Sequence, residues 1–335
     1  MASGYKLVSH LVVAKSDKNM KSHTKSFDLS FKKGSFFTMT LSLIITLSTF
    51  SANVSALTIS SFNPILSDFA IQIGQEKITL FKNMTCKDDP HHFEPTPQEI
   101  KQVVDADLVL FAGKNLETFK SSVENQISRN TDVVEAGKYI PSLKVTADSD
   151  FFVCCPDHAI GAMDPHWWHS VVDSKRACQT IYKAMAKKDP TNKNYYLKNL
   201  KEYLKKLDNL NDWAKNTLSF IKSDRRQLVT AHAAFAYFCR DFNFKSVPIL
   251  GLSSQDQSTP GYIQTVIQNI REKRIHVVFP QEGANPKILD SIVSETGVLL
   301  GKPLLADTPS SLDPSYIAMI TQNINVIAEA FQGER

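Results

Sequence analysis

From Asn192 to Ile221 the chain runs thirty residues without a proline or a glycine. Within it Tyr196, Leu200, Tyr203, Leu204, Leu207, Leu210, Trp213 and Leu218 recur mostly three and four residues apart. That spacing draws one apolar stripe along a helix whose opposite face is rich in lysine. At 1.5 Å per residue such a helix reaches about 45 Å, more than one compact lobe requires. A helix that bridges two lobes explains the length, and the rest of the chain then falls on either side of it.

The flanking segments fit that division. Before the helix, Leu57–Ser61, Lys77–Lys82, Asp107–Ala112 and Thr131–Glu135 read as short strands, with a helix from Pro97 to Val104. After it, Gln227–Thr230, Ser246–Leu250, Ile275–Phe279 and Val298–Leu300 repeat the pattern, and a last helix runs from about Pro314 to Ala330. Strands alternating with helices predict parallel sheets covered by helices. The expected fold class is therefore α/β: two lobes, each a mainly parallel sheet covered by helices, joined by one long rigid helix. The expected divisions are an N-terminal lobe over 57–190, a linking helix over 191–222 and a C-terminal lobe over 223–335. A length of 335 residues and 42 % hydrophobic content suit two lobes with real cores.

Residues 1–56 are different. They carry seven lysines against Asp17 and Asp28, so the rest of the chain has a net charge of −1. A broadly basic surface for nucleic acid is excluded once this segment is set aside. Lys32-Lys33 precede an apolar run from Phe36 to Phe50, followed by Val54-Ser55-Ala56. Fifteen residues fall short of the roughly 20 that span a bilayer, but they suit the core of a cleavable export signal with a small-residue cleavage site. The expectation is a signal over 1–56 and a mature chain beginning near Leu57. With no cysteine beside the cleavage step, the expected product is periplasmic and not a lipoprotein. The five cysteines (Cys86, Cys154, Cys155, Cys178, Cys239) leave at least one unpaired or intermolecular, and none has zinc-finger spacing.

The chemistry lies in histidine. Asp89-Pro90-His91-His92-Phe93-Glu94-Pro95 follows a strand and precedes a helix, where α/β folds place ligand loops. Asp164-Pro165-His166-Trp167-Trp168-His169 repeats the Asp-Pro-His step, and His232 stands just past another strand end. Asp307, in Leu304-Leu305-Ala306-Asp307-Thr308-Pro309, is a fourth strand-end candidate. A single histidine of this kind is usually structural or simply exposed. A doubled Asp-Pro-His is harder to dismiss, because proline fixes the backbone and lowers the cost of ordering an imidazole ligand. Three histidines and one carboxylate complete a tetrahedral site for a borderline divalent ion. His92 and His169 read as exposed or as partners of a neighbouring ligand, and Trp167, Trp168 and Trp213 as packing residues.

In these motifs the chain resembles the substrate-binding proteins of bacterial ABC importers for zinc and manganese. The resemblance rests on Asp89-Pro90-His91-x-Phe93-Glu94-Pro95, Gly113-x-x-Leu116-Glu117, Asp164-Pro165-His166-Trp167, His232-x-Ala234-Phe235-x-Tyr237, and Asp307 before Tyr316-x-x-Met319-x-x-x-Asn323. It covers the chain from about Leu57 to the C-terminus. It implies a metal in a cleft between the lobes, with His91 and His166 from the first and His232 and Asp307 from the second. It also implies a membrane permease as partner, and a monomer. Two departures stand out. Phe279-Pro280-Gln281-Glu282 has glutamine where many relatives place an acid, and only Asp157, His158 and Asp164 remain of the long histidine-rich loop of zinc importers.

Three function classes compete. The leading one is an exported binding protein that captures a divalent transition metal and delivers it to the permease. A zinc hydrolase would need an open coordination position and a nearby base, and neither H-E-x-x-H nor G-x-S-x-G occurs. A surface adhesin of the same fold is the third. Three imidazoles lean toward zinc, and the carboxylate leaves manganese or iron open.

Overall fold

The computed structural model describes residues 56–144, 162–252, 260–282 and 287–332. The signal expected over 1–56 lies outside them except for Ala56, as do Cys154, Cys155, Asp157 and His158.

The first sheet comprises β1 (Leu57–Ser61), β2 (Ile78–Lys82), β3 (Leu108–Phe111) and β4 (Asp132–Glu135), in the order β2-β1-β3-β4. The second comprises β5 (Gln227–Thr230), β6 (Lys245–Pro248), β7 (Val277–Phe279) and β8 (Leu299–Leu300), in the order β6-β5-β7-β8. Every pairing in both sheets is parallel, with Ile59 opposite Leu80 and Leu108 in the first and Val229 opposite Val278 in the second. Parallel strands carry helices on both faces, so their residues are apolar throughout rather than alternating. β3 (LVLF) shows this, with all four residues buried.

Helices α1 (Pro64–Gly74), α2 (Pro97–Val104) and α3 (Lys120–Glu124) connect the first sheet. After it come α4 (Val171–Lys188) and the long α5 (Lys193–Leu218). The second sheet is connected by α6 (Ala236–Phe242), α7 (Pro260–Glu272) and α8 (Lys287–Thr296), and α9 (Tyr316–Gln332) closes the chain. The helix starts follow capping chemistry. Asn63 Oδ1 accepts from the Ile65 amide at 2.8 Å, and Thr96 with Glu99 forms a capping box ahead of Pro97.

The long helix is slightly shorter than its sequence suggests. Asp189 caps a separate 3-10 turn at Pro190–Asn192, so α5 begins at Lys193 and its 26 residues reach about 39 Å. Its stripe of Tyr196, Leu200, Tyr203, Leu207, Leu210 and Leu218 is buried. It joins a single core with α1, α4 and α9 and with inner-face residues of both sheets, from Ile59 and Leu108 to Leu228 and Phe279. Two smaller clusters cover the outer faces, one under α2 and α3 around Phe62 and Phe111, the other under α7 and α8 around Val229 and Val278. The sheets thus share one interior. Among the described residues no helix is long and apolar enough to cross a membrane.

Candidate metal centre

Every residue singled out for chemistry sits past the carboxyl end of a strand, where open α/β sheets bind ligands. His91 follows β2, His166 follows β4, His232 follows β5 and Asp307 follows β8.

The two Asp-Pro-His steps fold as one device used twice. Asp89 Oδ1 accepts from the His91 amide at 2.9 Å, and Asp164 Oδ1 accepts from the His166 amide at 2.8 Å. Each is the short turn in which an aspartate holds the backbone two residues on, with the proline fixing the residue between. The rings then differ. Asp164 Oδ1 also receives His166 Nδ1 at 2.8 Å, whereas Asp89 Oδ2 takes the neighbouring His92 Nδ1 at 3.2 Å. A carboxylate can only accept unless it is protonated, so His166 carries a proton on Nδ1 and turns Nε2 inward.

The structure brings His91, His166, His232 and Asp307 together, with one donor atom from each inside a group no more than 4.8 Å across. His166 Nε2 lies 3.1 Å from His91 Nε2 and 3.3 Å from His232 Nε2. Asp307 Oδ1 lies 3.4, 3.3 and 3.6 Å from the Nε2 atoms of His91, His166 and His232. That oxygen is buried yet has no well-formed hydrogen bond. A buried acceptor left in that condition is costly, and a cation at the centre of the four atoms relieves it. The donor set therefore fits a divalent metal ion.

The electrostatics agree with such a site waiting for positive charge. Burial opposes charge on His166, but Asp164 and Asp307 overcome it and raise its pKa to about 9. Burial lowers the pKa of His91, with Asp307 partly offsetting it. Burial works against ionisation of Asp307 as well, yet His232, His166 and His91 hold its pKa well below the usual carboxylate range. A proton on His166 thus occupies part of the space a metal ion would take, and a metal ion bound there would displace it. His166 and His232 are sealed from solvent, while 11 % of the His91 side chain and 13 % of Asp307 remain exposed. A cavity of about 330 Å³, lined by Cys86, Asp88, Asp89, Gln281, Asp307 and Thr308 among others, opens on that side.

The flanking motif residues hold the frame. Trp167 Nε1 donates to Ala112 O and Trp168 Nε1 to Ala306 O. Gly137 lets Trp167 approach, since a Cβ there would stand 2.6 Å from Trp167 Nε1 and 2.7 Å from Ala112 O. Glu117 accepts from the Ala112 and Gly113 amides, closing a turn in which Gly113, Lys114 and Asn115 all have positive φ. Tyr237 Oη donates to Asp164 O at 3.2 Å, and Tyr316 Oη to Trp168 O at 2.8 Å. Asn323 clamps the backbone just before Asp307, accepting from Leu305 N and donating to Leu305 O.

Asp164 stood in the sequence as part of the Asp-Pro-His step, but its hold on the His166 ring was not read there. Two further contributors went unread or undecided. His169, left open between exposed and supporting, is buried. Its Nε2 donates to Ala306 O at 2.7 Å and its ring stacks on Phe235; burial lowers its pKa to about 3. Gln281, noted only as a departure, contacts both His232 and Asp307. His92 is the exposed partner of Asp89.

Comparison with known proteins agrees with this architecture. The family model for zinc-uptake complex component A, periplasmic, matches residues 59–330. The manganese ABC transporter substrate-binding lipoprotein PsaA of Streptococcus mitis is 28 % identical over 306 residues, covering 89 % of this chain and 98 % of the relative. The metal ABC transporter substrate-binding lipoprotein FimA of Streptococcus parasanguinis is 28 % identical over 270 residues, covering 80 % and 86 %. Among solved structures, the periplasmic zinc binding protein TroA from Treponema pallidum shares the fold with a TM-score of 0.73, at 23 % identity over 82 % of this chain and 98 % of that one. The Mn-bound periplasmic metal binding protein from Candidatus Liberibacter asiaticus also has a TM-score of 0.73, at 22 % identity over 82 % and 98 %.

One expectation is corrected here. The absence of a cysteine near Ala56 argued for a protein that is not a lipoprotein, but curated relatives matching most of the chain are named lipoproteins. A residue-level argument from one short segment does not stand against them. The family's members are transporter substrate-binding proteins and not enzymes. The chain belongs to the zinc-uptake complex component A family of metal ABC transporter substrate-binding proteins.

Proposed function

We propose that the chain captures one divalent transition metal ion on His91, His166, His232 and Asp307, with zinc as its cargo, and delivers it to the membrane permease of an importer. The observation that carries the reading is the close convergence of the four donors, which supports a small four-coordinate ion. A regular tetrahedron with bonds of about 2.0–2.1 Å has edges of about 3.3–3.4 Å. The five edges given above run from 3.1 to 3.6 Å. Three imidazoles and one carboxylate oxygen also suit zinc by donor type. Four protein donors close the coordination shell, which serves capture rather than catalysis.

Manganese is the competing cargo, favoured by the naming of PsaA relatives for it. On the proposed division, residues 57–190 supply two donors, 191–222 bridge, and 223–335 supply the other two. All four come from one chain, so a monomer suffices.

The test is metal analysis of the chain purified without added metal, followed by competition titration of zinc against manganese. One zinc per chain, held more tightly than manganese and lost in Asp307→Ala, is the expected result. Preferential manganese binding would transfer the cargo assignment to manganese, and absence of stoichiometric binding would remove the proposal.

A further inference from the structure

Gln281 lies in the turn after β7, between two donors that come from different strands. Its Oε1 accepts from His232 Nδ1, and its Nε2 donates to Asp307 Oδ2 at 2.8 Å. The orientation of the amide is forced. An ionised carboxylate has no donor, so the Gln281 NH₂ must face Asp307. Its carbonyl therefore faces His232, which must carry its proton on Nδ1 and present a lone pair at Nε2. Gln281 is 8 % exposed and so has few competing water contacts.

The consequence for Asp307 is as direct. With Oδ2 occupied by the amide, only Oδ1 is turned toward the three imidazoles. We infer that Gln281 is a specificity-determining positioning residue, which holds Asp307 to a single oxygen ligand and thereby fixes a four-coordinate site that favours zinc over manganese. The inference rests on the metal-capture reading above and adds the source of its selectivity.

The chemistry of the alternatives shows why a glutamine matters. A carboxylate at 281 would still accept from His232 Nδ1 but could not donate to Asp307. Two like charges would face each other and drive Asp307 Oδ2 toward the ion. A second oxygen and a more negative surround suit manganese, which prefers oxygen-rich, six-coordinate sites. A methionine at 281 would keep the length and remove both hydrogen bonds without adding charge. Groups that orient metal ligands in this way typically change affinity about tenfold to a hundredfold when altered.

The test uses the full chain and the variants Gln281→Glu and Gln281→Met. Zinc and manganese affinities come from competition titration, and the visible absorption of the Co²⁺-loaded protein reports coordination number. Wild type is expected to give the intense spectrum of tetrahedral Co²⁺. Both variants are expected to lose about tenfold to a hundredfold in zinc affinity, with a smaller loss for manganese, so that the zinc-to-manganese ratio falls. Their Co²⁺ bands should weaken as coordination expands. Metal-free melting confirms which variants fold, and Gln281→Met decides if Gln281→Glu does not. A folded variant that keeps the wild-type ratio and Co²⁺ band overturns the inference while leaving metal capture intact. Failure of wild type itself to bind one ion overturns the capture reading instead.

Discussion

His166 and His232 are both buried imidazoles with Nδ1 engaged, yet the two sheets hold them by different means. On the first sheet the partner is Asp164, two residues away, within the same turn that holds the backbone. On the second it is Gln281, 49 residues away and on a different strand's loop, and the same amide also holds Asp307. The first side builds each donor from a local motif with its own charge. The second yokes its two donors through one neutral group, so they cannot be oriented independently. What is local is preset when the turn forms; what is yoked depends on β7 and β8 lying side by side.

The largest expected effect tests whether both sides contribute to one centre. A ligand that binds only the folded chain stabilises it by about 2.7 kcal/mol at a hundredfold excess over Kd. His91→Ala on the first side and His232→Ala on the second should each lose most of that gain in thermal melts with and without zinc. A full metal-induced shift surviving in either variant would remove that residue from the centre.

Next comes the local partner. Asp164→Ala removes the acceptor of His166 Nδ1 and should weaken zinc binding about tenfold to a hundredfold in a competition titration. Unchanged affinity would mean that the proline-fixed backbone alone orients the ring, and the contrast between the two sides would vanish.

The frames around the donors should differ more modestly. A Cβ on Gly137 meets the Ala112 carbonyl at 2.7 Å as well as Trp167, and backbone cannot step aside. A Cβ on Gly301 meets the Phe279 ring at 2.8 Å and Val277 at 3.2 Å, side chains that can shift. Gly137→Ala should cost about 1–3 kcal/mol in urea denaturation of the metal-free chain, and Gly301→Ala less. The reverse order would contradict the view that the first side is the more rigidly preset.

The last effect concerns one of the contacts that join the two sides. His169, from the first side, donates to Ala306 O beside Asp307. Its pKa is lowered from 6.5 to about 3 by burial. Between those values the unfolded chain binds the extra proton, so this contribution is complete above 6.5 and is lost as pH falls toward 3. His169→Gln keeps a donor for the carbonyl and removes the titration. Metal-free wild type should lose more stability than His169→Gln between about pH 7.5 and about pH 5. Equal losses would show that His169 does not set this pH dependence.

The same contrast explains how much the sequence discloses. The stripe from Tyr196 to Leu218, the strand at Leu108–Phe111 and the helix start at Pro97 are encoded within a few neighbouring residues, and they fold as expected. So do the turns at His91 and His166, whose aspartates stand two residues away. Strand ends are less legible, because pairing depends on a neighbour. Ile275–Phe279 shortens to Val277–Phe279, and Ser246–Leu250 moves to Lys245–Pro248 in register with Gln227–Thr230. Gln281 and His169 act on residues 26 to 137 positions away. No periodicity or spacing in one sequence encodes such partners.

The central claim is that one ion is held by three imidazoles and a single carboxylate oxygen drawn from both sheets. X-ray absorption at the zinc edge of the zinc-loaded chain tests it most directly. The account predicts four nitrogen and oxygen neighbours at about 2.0–2.1 Å, with the multiple-scattering pattern of imidazole. A sulfur neighbour at about 2.3 Å, or a six-coordinate shell dominated by oxygen, would contradict it.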